Sequence, residues 1–356
     1  MTYNPAVKFI DENGVPYGVK HIDNKPRFSS MPYLYDVSEG NVSNHKAFRV
    51  LGINLAVPNG TLEDVCIQSA NIPLPTAATA MELVGNAVDI GVTIYTSTAT
   101  AGSATEINDD TQDFTAGSVV AVGDADLLDD SDALGWVTTV AEAQLTCSAG
   151  FYGPDGAVTP GVGENYRVVD VSAGGLGAQV CCVRGLDINY NAISEYVVMN
   201  GATPVDPLTY SYYRINHLNV AVTGGNFVAT GPIILRGTAG TPIYSQIAAE
   251  NNIALQALYT VPNGYAGYIT DWTGGSSGTK PMSVLLRVAA NDQTGQRLQP
   301  GAFHTRGSLL VSTGTNQIIL PAPIVVPARC SIKCSAMGIG GAGEASASFG
   351  MWIETV

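Results

Sequence analysis

Ser194-Glu-Tyr-Val-Val-Met-Asn-Gly201 decides how this chain is read. Tyr196 to Met199 suit a pleated, half-buried surface, and the Asn-Gly pair that closes the run accepts the positive φ of a tight hairpin turn. Tyr259-Thr-Val-Pro-Asn-Gly264 repeats the arrangement. From Ile72 onward the same pattern recurs, in Val88–Tyr95, Ser118–Val122, Gln179–Val183, His217–Val222, Phe227–Leu235, Ala266–Trp272, Ser283–Val288, Gln317–Leu320, Ser331–Met337 and Ser346–Ile353. Short apolar runs bounded by Gly, Pro, Asn and Ser predict the strands of β-sandwiches or barrels. Tyr244–Leu258 is partly helical in composition, but its Ser and Asn and the Thr-Val-Pro that follows fit strand better. The predicted fold class is all-β: two jelly-roll-like β-sandwich domains, an extended N-terminal arm and an acidic inserted β subdomain.

Residues 1–55 read as the arm. Asn13-Gly14, Val15-Pro16, Lys25-Pro26 and Met31-Pro32 break any regular element, and no helical apolar period runs through them. The segment is nevertheless rich in aromatics. Phe28, Tyr33, Tyr35, Phe48 and the neighbouring Arg49 are therefore candidate interface residues, either on the arm's own domain or on a neighbouring subunit. The Gly237-Thr-Ala-Gly-Thr-Pro242 break suggests a boundary between a first domain, 56–240, and a second, 241–356, with an insertion over about 97–165.

Charge divides the chain in the same places. Net charge is −14, and only 13% of the 356 residues are charged. Between Val50 and Tyr166 there are sixteen Asp and Glu and no Lys or Arg; the remainder, with fourteen acids and sixteen bases, is close to neutral. Such a chain lacks the clustered cations that nucleic-acid binding requires. No apolar run reaches the ~18 residues of a membrane span, and the start, MTYNPAVKFIDENG, reads as carrying no secretory signal. Neither nucleic acid nor membrane is expected as a partner.

The chemistry-bearing residues are sparse. Four histidines (His21, His45, His217, His304) form no metal-binding or catalytic spacing. Gly274-Gly-Ser-Ser-Gly278 has the letters of a nucleophile elbow but runs into Thr279-Lys-Pro281 rather than a helix. Gly338-Ile-Gly-Gly-Ala-Gly343 has the letters of a dinucleotide loop with no helix to follow it. Cys330 and Cys334 have the spacing of half a zinc site without its other half, and all six cysteines read as reduced core thiols. Within Asp124-Ala-Asp-Leu-Leu-Asp-Asp-Ser-Asp132, the carboxylates of Asp124, Asp126, Asp129 and Asp130 are candidate calcium ligands. Asp129 stands where a calcium loop needs Gly, and Gly135 where it needs Glu. A solvated acidic face is the competing reading. No enzyme activity and no cofactor are expected.

Several stretches resemble a family. Gly185-Leu-Asp-Ile-Asn-Tyr-Asn-Ala-Ile-Ser-Glu-Tyr-Val-Val-Met-Asn-Gly-Ala-Thr-Pro-Val205, Tyr213-Arg-Ile-Asn-His-Leu218, Ile243-Tyr-Ser-Gln-Ile-Ala-Ala249 and Leu258-Tyr-Thr-Val-Pro-Asn-Gly-Tyr-Ala-Gly-Tyr-Ile269 resemble, in that order, segments of tailed-bacteriophage virion proteins. Glu39-Gly-Asn-Val-Ser-Asn-His-Lys46 and Leu320-Pro-Ala-Pro-Ile-Val-Val-Pro327 are similar to two more. The resemblance covers about 30–95 and 168–356; the acidic tract 97–165 departs from it. It implies a structural protein of the virion, assembled in the host cytoplasm, with the major capsid protein or other virion proteins as partners; the arm's aromatics and the low charge, for their part, predict self-association as a homotrimer. A capsid decoration (cement) or head-fibre protein, a tail, baseplate or fibre component, and a carbohydrate-binding virion module all stay open.

Overall fold

A computed structural model describes residues 19–22, 25–28, 45–109, 119–122, 133–141, 144–153, 156–160, 162, 165–289 and 302–356. The described residues contain no helix, and every strand pairing in their sheets is antiparallel. Tyr244–Leu258 follows suit: it contributes to the strand Ile243–Ile247 and ends on the strand Leu258–Thr260.

The C-terminal part is built from eight strands: β1 (His45–Val57), β2 (Leu258–Thr260), β3 (Tyr265–Ser276), β4 (Met282–Ala289), β5 (Phe303–Val311), β6 (Gly314–Val326), β7 (Ser331–Gly338) and β8 (Gly343–Thr355). They form two sheets, ordered β6-β3-β8-β1 and β2-β7-β4-β5, the second extended by the two-residue strand Glu63–Asp64 paired with β7, and one apolar core lies between them. The alternation along β8 explains why it lies at the centre. Ala345, Ala347, Phe349, Met351 and Ile353 all point into that core, where Trp272, Val284, Leu286 and Ile332 meet them. Phe349 and Trp272 are fully buried, and truncating either to Ala would cost about 3–5 kcal/mol.

The first strand corrects the arm boundary. The sequence places residues 1–55 in the arm, yet β1, which begins at His45, pairs with β8 along its whole length, from His45↔Glu354 to Val57↔Gly343. Its signal is hidden because two inward positions carry Gly52 and Asn54 instead of apolar residues. Gly52 is required there: a Cβ would lie 2.1 Å from the Val65 carbonyl oxygen and 2.3 Å from the Ala257 amide nitrogen. Those two groups hydrogen-bond to each other at 2.9 Å. Asn54, fully buried, donates to the Asp64 carbonyl at 3.0 Å and accepts from the Ala56 amide at 2.9 Å.

A second core lies between two smaller sheets. One comprises Ala192–Val198, Ala178–Leu186 and Arg214–Thr223; the other comprises Ser211–Tyr212, Thr79–Val84, Ile233–Gly237 and Ile243–Ile247. Met81, Leu83, Cys181, Val183, Leu218, Leu235 and Ile247 fill the space between. The boundary expected at 240/241 therefore falls inside a hairpin, because Ile233–Gly237 pairs with Ile243–Ile247. Gly240, at φ +84°, makes its turn. A glycine-rich break looks alike in sequence whether it closes a hairpin or separates domains. Asn200-Gly201 is also a turn, with Gly201 at φ +64° and the Thr203 amide bonded to the Asn200 carbonyl. It hands the chain to the other sheet instead of closing a hairpin.

A third apolar cluster is made by Ala99, Ile107, Val120, Val137, Leu145, Phe151, Tyr166 and Val168. It lies within a six-stranded and a four-stranded sheet assembled between Thr93 and Val169. The units are thus nested. The third interrupts the second, and the second interrupts the first between β1 and β2.

Candidate functional site

The residues singled out from sequence divide between the described and undescribed parts of the chain. Asp124, Asp126, Asp129, Asp130, Tyr33 and Tyr35 lie outside the described residues. Phe28 ends a strand that pairs with Val19–Ile22. Phe48 and Arg49 sit on β1 and face opposite sides of its sheet. Phe48 is half-buried against the core, its ring centroid 4.8 Å from that of Tyr259. Arg49 points outward, donating to Ser348 Oγ at 2.8 Å and to Asp271 Oδ1 at 2.5 Å, with 46% of its side chain still exposed.

Arg49 belongs to an ordered outer face. Tyr268 and Trp352 stack there with centroids 4.9 Å apart and planes 9° from parallel. Glu354 accepts from Tyr268 Oη at 2.6 Å and pairs with His45 Nε2 at 2.9 Å. The Tyr268 hydroxyl, and then His45, hold the Glu354 carboxyl below its ordinary range. Thr273 Oγ1 and Ser348 Oγ share a hydrogen bond at 2.8 Å, and Gln317 Nε2 donates to Asp271 at 3.1 Å. This face has its polar groups paired with one another.

At the edge of the same sheet the chemistry changes. β6 is a terminal strand, thirteen residues long and without a single charged side chain. Ile319 is 60% exposed and Val325 59%; on the adjoining β5, Leu310 is 64% exposed. Across the sheet, the other edge strand, β1, exposes Leu51 and Leu55. Natural proteins protect such edges with charges, prolines or a covering element. Here Pro321 and Pro323 are the only such protection within β6.

The buried acids act as clamps. Asp89 accepts from the amides of Ala178, Thr230 and Gly231. Glu195 accepts from Tyr212 Oη at 2.8 Å and from the Thr209 amide. Asp64 meets Lys333 Nζ at 2.8 Å, Ser335 Oγ and the Ile72 amide, fastening the segment after β1 to β7. With their oxygens held by fixed donors, these carboxylates are poor candidates for general acid–base work. Among the described residues no three His, Cys, Asp or Glu side chains gather to hold a metal. All six cysteines are buried free thiols. Burial pushes Cys66 and Cys330 up to about 11 and raises Cys334 further, so none of these three is an activated nucleophile. Burial, and then Arg184, pushes His217 down to about 4. A small cavity lined by Ile72, Pro73, Leu74, Pro75, Ile215, Tyr244 and Leu258 carries no converging polar side chains.

Sequence reasoning missed where the motif segments meet. Asp187 organises a turn by accepting from the amides of Asn189 and Asn191, and Tyr190 sits in it at φ +66°. The Tyr190 carbonyl accepts from the Asn263 amide at 2.8 Å, across to the turn between β2 and β3. Asn216 exchanges two hydrogen bonds with the Thr260 backbone, at 2.8 and 2.9 Å. Arg214 reaches the Pro75 carbonyl at 2.8 Å. The stretches around 185–191, 213–216 and 258–264 thus build the seam between the first and second units. The signal was a lone Arg between Tyr213 and Ile215, at the start of the strand Arg214–Thr223.

No family model matches the chain, and no curated protein matches it.

Proposed function

We propose that this chain is a non-enzymatic structural component of a bacteriophage virion, a capsid decoration (cement) or head-fibre protein that anchors by its N-terminal arm and oligomerises through its β-sandwiches. The single observation that carries the reading is the exposed apolar edge at β5 and β6, which no element among the described residues pairs with or covers. Leu310, Ile319 and Val325 are each exposed, and the backbone groups of the uncharged β6 have one neighbouring strand only. An edge of this kind is a liability in a lone monomer and an asset in an assembly whose copies cover it. Closed symmetry lets one pair of patches serve every copy, and a trimer is the state proposed.

The winding of the first unit supports the same reading. β1 pairs with β8, β8 with β3 and β3 with β6; in the facing sheet β2 pairs with β7, β7 with β4 and β4 with β5. We read this interleaving as that of an eight-stranded jelly roll, an architecture that recurs in capsid and lectin domains. Fold alone does not assign function. Here it joins the virion-protein resemblance of the motif segments and the use of buried acids as clamps.

The experiment is to locate the chain in purified particles by electron microscopy and to measure its copy number against the major capsid protein. A fixed ratio to that protein, with density on the shell, is the expected result. A few copies at one vertex would move the assignment to the tail or baseplate. Absence from particles would overturn it.

A further inference from the structure

The chain holds Asn-Gly pairs at 13–14, 59–60, 200–201 and 263–264. Such a pair carries a reaction of its own. The glycine nitrogen, once deprotonated, can attack the asparagine side-chain carbon, because glycine has no Cβ to hinder the approach. Asn13-Gly14 lies outside the described residues, and hydrogen bonding separates the other three. The Gly60 amide donates to the Gly338 carbonyl and the Gly201 amide to the Asp89 carbonyl, each at 3.0 Å. Gly264, at φ +78°, has no acceptor for its amide among the described residues. Both it and Asn263 are exposed in the turn between β2 and β3.

Asn263 is also gripped as an acid would be. Arg329 directs both Nε and Nη2 at its Oδ1, at 3.1 and 2.9 Å. That edge of a guanidinium matches the two oxygens of a carboxylate, yet here a single amide oxygen takes both bonds. Backbone contacts hold each partner in place. The Arg329 amide donates to the Val261 carbonyl at 2.9 Å, and the Asn263 amide to the Tyr190 carbonyl of the second unit at 2.8 Å.

We propose that Asn263 is a self-modifying site, converted within the folded protein to an acid that completes an ion pair with Arg329. The Gly264 nitrogen gives its proton to hydroxide and bonds to Asn263 Cγ. Negative charge then gathers on Oδ1, where the two guanidinium donors stand as those of an oxyanion hole do. The Cγ–Nδ2 bond breaks, and Nδ2 takes a proton from water and leaves as ammonia, which restores the hydroxide. Water opens the resulting five-membered imide to aspartate or isoaspartate. The sum is an amide and water giving an acid and ammonia, so no other reactant is consumed. The new carboxylate is the partner that the Arg329 fork fits, and it adds an ion pair to the turn that meets Tyr190 at the seam.

The test incubates the folded full-length protein at mildly alkaline pH in heavy-oxygen water and maps its peptides by mass spectrometry. The peptide that contains Asn263 should show the mass of an acid carrying heavy oxygen, several-fold sooner than the peptides that contain Asn59 or Asn200. Unfolding in urea should remove that lead, because all three pairs then have free glycine amides. Arg329→Gln should slow the conversion of Asn263 several-fold in the folded protein and leave it unchanged in urea. Equal rates at the three sites in the folded protein would overturn the proposal, as would a folded-state rate that Arg329→Gln leaves unchanged. If Arg329→Gln fails to fold, Arg329→Lys, which keeps the charge without the fork, supports the same comparison.

Discussion

Asp64→Ala should destabilise a unit most of whose strands lie two hundred residues further along the chain. Asp64 is fully buried and grips Lys333 Nζ with both oxygens, at 2.8 and 3.0 Å. It also accepts from Ser335 Oγ at 2.9 Å and from the Ile72 amide at 3.0 Å. Removing the carboxylate leaves the Lys333 ammonium largely buried and unpaired, which costs about 3–5 kcal/mol in such settings. The stranded Ile72 amide adds about 1 kcal/mol. Two of the chain's three tryptophans, Trp272 and Trp352, lie in the affected unit, so urea unfolding followed by tryptophan fluorescence in a Trp136→Phe background reports on it directly. The midpoint should fall sharply. The double replacement Asp64→Leu with Lys333→Met should recover most of the loss, because an apolar pair removes both charges together. An unchanged midpoint for Asp64→Ala would refute the claim that residues 45–75 and 258–356 fold as one unit.

The same nesting sets where truncation is tolerated. Removing residues 1–44 should leave a cooperatively folding protein by circular dichroism, whereas removing 1–57 takes away β1, uncovers one side of β8 and should abolish that transition. Acid should weaken the fold through His217. Its folded value of about 4 lies below the ordinary 6.5, so the unfolded chain takes up the proton first. Stability is then constant above pH 6.5, falls as pH drops from 6.5 to about 4, and loses up to ~3 kcal/mol in that window. His217→Gln should flatten the profile measured by denaturant midpoints. Glu354, whose carboxyl is held below its ordinary range, contributes stability that is lost only as pH falls through that lowered value. The thiols give a simpler check: all six should resist a thiol-specific reagent in the native protein and react together once it unfolds.

What the sequence revealed was local. The alternation of Ala345 to Ile353 and the Asn200-Gly201 turn were legible because each depends on a few neighbouring residues. β1 was not, since Gly52 and Asn54 hold inward positions for reasons set by Val65, Asp64 and Ala257. The 240/241 boundary misread a hairpin turn as a linker, because Gly240 serves either purpose. Arg214 stood in plain view, but its place in the seam depends on Pro75 and Tyr190 arriving from distant segments.

Light scattering on the purified full-length protein tests the central claim most directly. At micromolar concentration the wild type should have the mass of three chains. Replacing Ile319 and Val325 with Lys should reduce that to one chain without shifting the unfolding midpoint, because both side chains point to solvent in the isolated protomer. A wild-type monomer across that range, or a lysine variant that remains trimeric, would contradict the account.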